Sequence, residues 1–230
     1  MNIAMNVVAD SLHVRSGPGT DRASVGFAAL KDQLTVTEID PSGTWGKVAQ
    51  PAVEGWCSLK YLVPQGADAA PWLAVACSQV GVKEIVNGSA HPRVLEYLAT
   101  VDDLSTIDKH DTTGTSWCSC FINWCVDQVG IHGTNSAAAQ SWRSWRNGKE
   151  ADCVKPGSQT AAKVGDIAVW ERVAPGDWHG HVSIFIAYDQ GTDRLCVLGG
   201  NQSNAVRYSW YPREDKSPQN YYKLLTLRSV

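Results

Sequence analysis

The chain is predicted to fold as an α+β domain, helices first and an antiparallel sheet second, preceded by a small all-β unit. Three observations carry that prediction. Residues 3–64 read as short alternating strands broken by tight turns. Residues 71–145 carry apolar side chains at helical spacing, and from Asp166 onward the pattern is strand only.

Composition narrows the class further. Of 230 residues, 43% are hydrophobic and 19% charged, which suits a folded chain and excludes disorder. The net charge of −3, with no run of Lys and Arg, gives no footprint for nucleic acid. No apolar stretch reaches the length of a membrane span, so no membrane insertion is expected. Met1 to Asp10 has neither a basic start nor a long apolar segment, so no secretory signal is read and synthesis in the cytoplasm is expected. The seven cysteines are odd in number, form no CxxC pair and match no zinc-finger spacing. Most are expected to be buried free thiols.

In the N-terminal unit, Ser16-Gly17-Pro18-Gly19-Thr20 and Asp40-Pro41-Ser42-Gly43 are turns, and Leu34–Ile39 and Trp45–Val48 alternate as strands. Pro64 to Ala70 is a small-residue linker, assigned to residues 65–70. Pro71 opens a helix at its first turn, with Trp72, Leu73, Val75, Ala76 and Val80 at helical spacing. A second helix is predicted over His91–Thr100, after a turn at Asn87-Gly88, and residues 101–115 are a polar loop. Ser116 is read as the N-cap of a third helix that Gly130 ends, and Ser136–Trp145 as a fourth that stops near Asn147-Gly148. Strands are predicted over Asp166–Trp170, His181–Tyr188, Arg194–Leu198, Ala205–Trp210 and Tyr221–Leu227.

Chemistry gathers at two places. Cys118 lies at the start of a helix, where unpaired N–H groups and the dipole favour a thiolate, as a nucleophile requires. Cys120 faces elsewhere on the helix, and Cys125 lies two turns deeper among core residues. His181 opens the apolar strand Val182–Ala187, within expected hydrogen-bonding reach of Cys118. Asn201, in Leu198-Gly199-Gly200-Asn201-Gln202, is expected to accept the imidazole N–H and fix its tautomer. Trp117, Trp178, His179 and Gln202 flank these residues and are taken as substrate-binding. His179 and His181 form an HxH pair, but no third ligand has a convincing spacing, so no metal and no cofactor are expected. Asp166 is read as a turn residue before its strand.

Two resemblances follow from these motifs. Leu12-His13-Val14-Arg15-Ser16-Gly17-Pro18-Gly19-Thr20, Trp45-Gly46-Lys47-Val48 and Gly55-Trp56-Cys57-Ser58-Leu59-Lys60-Tyr61-Leu62 resemble the bacterial SH3-like domain, over residues 1–64. That implies a small barrel that binds cell wall or packs on a catalytic neighbour. Trp117-Cys118-Ser119 with Phe121, Lys163-Val164-Gly165-Asp166-Ile167, Gly180-His181-Val182 and Leu198-Gly199-Gly200-Asn201-Gln202 resemble the CHAP and NlpC peptidoglycan hydrolases, over residues 71–230. The resemblance implies a papain-like catalytic domain with Cys118 as nucleophile, His181 as base and Asn201 as the orienting residue. It implies bacterial peptidoglycan as substrate, cut at an amide bond within the stem peptide or between muramic acid and L-alanine. The expected setting is a monomeric phage lysin, or an antibacterial effector with an immunity protein, acting on the wall after lysis or export. The alternatives are an inactive wall-binding protein and a cysteine protease or deamidase acting on proteins.

Overall fold

The computed structural model describes residues 2–49, 54–86, 88–110, 114–158, 161–217 and 219–230. The N-terminal unit consists of β1 (Ile3–Val7), β2 (Ser11–Arg15), β3 (Ser24–Ala29), β4 (Gln33–Ile39), β5 (Trp45–Ala49), β6 (Glu54–Ser58) and β7 (Leu62–Pro64). They form one antiparallel sheet in the order β3-β2-β6-β5-β4-β1-β7. Alternation sends Ile3, Met5, Val7, Leu12, Val14, Leu34 and Val36 to its buried face.

The remainder carries α1 (Pro71–Ser78), the short pair β8 (Ile85–Val86) and β9 (Ser89–Ala90), α2 (Pro92–Leu98) and α3 (Cys118–Asp127). Then come β10 (Asn147–Glu150), β11 (Ile167–Arg172), β12 (Gly180–Asp189), β13 (Arg194–Gly199), β14 (Arg207–Pro212), β15 (Glu214–Asp215) and β16 (Tyr222–Ser229). The second sheet is antiparallel in the order β10-β16-β11-β12-β13-β14, with β15 paired to β16. Helices before strands is the predicted order.

Several expectations change in detail. Trp117, not Ser116, occupies the N-cap of α3 and gives no side-chain cap, so the helix begins at Cys118 itself. Gly130 does end this segment, at φ +73°, with Ile131 N–H closing back on Val126 O. The fourth predicted helix is a tighter 3₁₀ segment, Ala139–Ser144. Its Trp142 is tied by the indole N–H to Ser119 Oγ at 2.8 Å, and Trp145 to His132 O at 3.0 Å. Asn147-Gly148, where that helix was expected to stop, begins strand β10, which was not predicted. Asn87, and residues 111–113 of the polar loop, lie outside the described residues.

The 65–70 linker is packed, not free. Ala70 is buried, and a Cβ on Gly165 would lie 2.1 Å from its methyl carbon. Trp72 donates its indole N–H to Gly165 O at 2.9 Å. One buried apolar cluster runs from the first sheet through Leu59 and Leu62 into α1, α3 and one face of β12. A second cluster, including Trp170, Phe185, Leu195 and Val197, covers the opposite face of the second sheet.

Candidate active site

Strand alternation decides where His181 points. Val182, Ile184 and Ile186 pack toward the helices, so His181 and Ser183 occupy the other face, with Phe185 in its apolar cluster. There the imidazole lies 4.8 Å from the Tyr211 ring and 6.2 Å from the Trp170 ring, centroid to centroid. His181 is only 3% exposed.

Its hydrogen bonds define its chemistry. Nε2 lies 3.0 Å from Gln202 Oε1 and 2.7 Å from Ser183 Oγ. The Gln202 amide cannot be reversed, because its Nε2 donates to Arg207 O. Oε1 therefore faces the imidazole as an acceptor, and it also accepts the Ser183 hydroxyl at 2.9 Å. The proton must sit on His181 Nε2, which leaves Nδ1 with a free lone pair. Nδ1 makes no hydrogen bond among the described residues. It is not sealed in either, since Arg228 Nε is the one enclosed side-chain polar atom there without a partner.

The expected acceptor is thus replaced. Asn201 makes no hydrogen bond to His181; Gln202 does. Beyond β13 the chain turns through three left-handed residues, Asn201 (φ +53°), Ser203 (+53°) and Asn204 (+57°), so strand alternation stops. The turn returns Gln202, not Asn201, to the face of Ser183, where a Cβ on Gly199 would meet Ser183 Oγ at 2.5 Å and Gln202 Oε1 at 3.0 Å. Gln202 is 1% exposed, so its expected substrate contact is also replaced by this internal one.

Cys118 approaches the same strand from the helix side. Phe185 N–H donates to Asp166 O, so by alternation His181 and Ser183 use β11 and Val182 turns its N–H the other way. Pairing between β12 and β13 starts only at Ile184, so β13 leaves that N–H free. It faces the Cys118 sulfur, as do the N–H groups of Ser119 and Cys118. Among the described residues no hydrogen bond joins Cys118 to His181; the sulfur meets the strand at the peptide between His181 and Val182.

Electrostatics explain why no ion pair forms at rest. Burial pushes the Cys118 thiol pKa up, against the three N–H groups and the Arg172 charge that pull it down. A helix end contributes only about 0.3–1 kcal/mol, less than the several kcal/mol that burying a charge costs. The thiolate expected from helix position alone is therefore not the resting form. Burial likewise pushes the His181 pKa down to about 4, opposed by the Gln202 hydrogen bond and assisted by Arg172. Thiol and imidazole are both neutral near pH 7.

A cleft of about 330 Å³ opens over Cys118, walled by Leu104, Asp108 and Ser116 on one side and Trp178, His179 and Gly180 on the other. Trp178 is 73% exposed and stacks on His179 at 3.9 Å, and His179 Nδ1 is 2.5 Å from Asp177 Oδ1. Trp117 is not a wall: it is fully buried, stacked on Tyr97, with its indole N–H donated to buried Glu84 at 2.9 Å. The other cysteines are buried free thiols. No cluster that could hold a metal ion occurs among the described residues. Asp166 accepts the Lys163 N–H at 2.8 Å and pairs with Lys149 at 2.6 Å, as a turn residue would.

Residues 110–201 match the model of the CHAP domain. The match includes Cys118 and His181 and stops one residue short of Gln202. No curated protein matches the chain. Among solved structures, the chain is similar to NlpC2 and NlpC1 from Trichomonas vaginalis, at 13% and 16% identity and a TM-score of 0.37 each. Those alignments cover 100% of this chain and 72% and 69% of theirs. It is also similar to an NlpC/P60 endopeptidase from Photobacterium damselae subsp. piscicida, at 8% identity and a TM-score of 0.33, covering 98% of this chain and 70% of that one.

Proposed function

We propose that this protein hydrolyses an amide bond in or next to the stem peptide of peptidoglycan, with Cys118 as nucleophile and His181 as base. The observation that carries the reading is the tautomer of His181: Nε2–H is held by Gln202, and the unprotonated Nδ1 is left for the thiol proton. The CHAP match over residues 110–201, which include Cys118 and His181, supports the substrate class.

In this reading the Cys118 proton passes to Nδ1 as Sγ attacks the carbonyl carbon, so the base and the nucleophile charge together. The resulting imidazolium keeps its Nε2–H on Gln202 Oε1. The N–H groups of Val182 and Cys118, already turned toward the sulfur, are donors for the oxyanion. Collapse breaks the C–N bond while Nδ1–H protonates the leaving amine. Water, deprotonated by Nδ1, then releases the acyl group and restores the thiol. Trp178 offers the cleft a flat face for a peptide stem or sugar.

The N-terminal sheet is proposed as an SH3-like domain that serves wall binding. A wall-binding protein without activity is the rival reading, favoured by the absent Cys118–His181 hydrogen bond. Purified cell walls decide between them. The parent protein is expected to release muropeptides with new amino termini, read by mass spectrometry, and Cys118→Ala to release none. Equal release by Cys118→Ala ends the assignment.

A further inference from the structure

A turn of the N-terminal sheet reaches the imidazole through an unbroken chain of contacts. Asp40, 7% exposed, accepts the N–H groups of Ser42 (3.0 Å), Thr44 (3.0 Å) and Trp45 (2.8 Å), while Gly43 N–H donates to Asp40 O at 2.8 Å. This makes a stiff turn between β4 and β5. Gly43 sits at its tip with φ +68°, and its carbonyl accepts the Tyr208 N–H at 2.9 Å. A Cβ on Gly43 would lie 2.1 Å from Tyr208 O and 2.8 Å from Arg207 Nε, so only glycine seats the turn against β14. The Arg207 guanidinium in turn closes on Pro41 O. On its other side Arg207 is paired with Gly199 of β13. The carbonyl of this doubly held residue accepts the Gln202 amide, whose opposite end holds His181 Nε2.

We propose that the Asp40–Thr44 turn positions the imidazole through Arg207 and Gln202, making Gly43 and Arg207 positioning residues of the hydrolase. The proposal rests on the thiol-hydrolase reading for what the imidazole does. The reason is geometric. If Arg207 O moves, the Gln202 amide is held at one end only, by the Ser183 hydroxyl on Oε1, and can turn over to present NH₂ to His181 Nε2. That end can only donate, so the imidazole proton would shift to Nδ1, and the nitrogen left for the thiol would no longer be a base. The N-terminal unit is then part of the catalytic architecture as well as a wall-binding module.

The test uses the full chain. Gly43→Ala and Arg207→Ala are each expected to lower kcat on wall fragments by about tenfold or more, with KM moving less than about twofold. Nitrogen-15 spectra of His181 are expected to change from the single Nε2–H form to a mixture. In a Gln202→Ala background, Gly43→Ala is expected to add less than about twofold, because the link is already cut. Lys216→Ala, at an exposed side chain outside that sheet and paired with Glu214, is expected to change nothing. Should Gly43→Ala fail to fold by thermal melting, Arg207→Ala adds no clashing atom and carries the same comparison. Multiplying effects of Gly43→Ala and Gln202→Ala, or a retained Nε2–H form in folded Arg207→Ala, overturns the proposal. Undiminished activity of Cys118→Ala would instead overturn the hydrolase reading, and the spectra would still judge the positioning.

Discussion

An imidazole acts as a base only through a nitrogen that carries no proton, and at His181 a neighbouring amide makes that choice. Gln202 Oε1 holds Nε2–H because the other end of the amide is committed to Arg207 O. Gln202→Ala is therefore expected to lower kcat/KM by about 10–100-fold, the range of a lost orienting partner. Asn201→Ala is expected to stay within about twofold, since it removes no bond to the imidazole. Parallel rates on purified walls check both. That Cys118, His181 and a polar side chain after Gly199-Gly200 come near one strand was legible in the sequence; the catalytic roles given to them are proposals. Which of two adjacent amides supplies that side chain was not legible, because a one-residue change of face follows from the left-handed turn at Asn201, Ser203 and Asn204. A signal was present: asparagine tolerates positive φ far better than glutamine, which favours Asn201 as the turn residue. Trp117 misled for a related reason, as an indole beside a nucleophile reads equally as wall or anchor until its N–H is seen on Glu84.

At the scale of elements, α3 packs against Gly200, just past the end of β13, which tolerates no side chain. A Cβ on Gly200 would fall 2.6 Å from Phe121 Cβ and 2.7 Å from the Trp117 ring. Gly200→Ala is expected to cost about 1–3 kcal/mol by overpacking, read as a lower denaturant midpoint with an unchanged m-value. The order of helices and strands was legible because the pattern changes at Asp166 from helical spacing to short apolar runs of strand length. The 3₁₀ segment Ala139–Ser144 was not, because its Trp142 and Trp145 fit a helical stripe while their indole bonds to Ser119 and His132 impose a tighter winding. Strand β10 was missed for want of apolar residues; it is held by pairing with β16.

For the whole molecule, the buried neutral imidazole links stability to pH. Burial is the leading cause that sets the folded pKa of His181 at about 4, against 6.5 for the unfolded chain. Above pH 6.5 both states keep the ring neutral and nothing is lost. Below it the unfolded chain binds a proton that the folded chain refuses, so stability falls until pH reaches about 4. The difference is worth about 3 kcal/mol at most, and His181→Gln is expected to flatten the melting temperature across that window by a corresponding amount. The two predicted units were legible as separate sequence patterns. Their shared core was not, because Leu59, Leu62, Ala70 and Trp72 become partners only through contacts distant in sequence.

The proposed coupling of Cys118 to His181 is most directly measured by alkylating the native protein with iodoacetamide near neutral pH and mapping the labelled peptide over time. Cys118 is the one thiol lining the cleft among the described residues; with Nδ1 of His181 taking its proton as proposed, it is expected to react about tenfold or more ahead of the other six thiols, and His181→Ala to remove that lead. Labelling first at another cysteine, or an unchanged Cys118 rate in His181→Ala, would contradict the account.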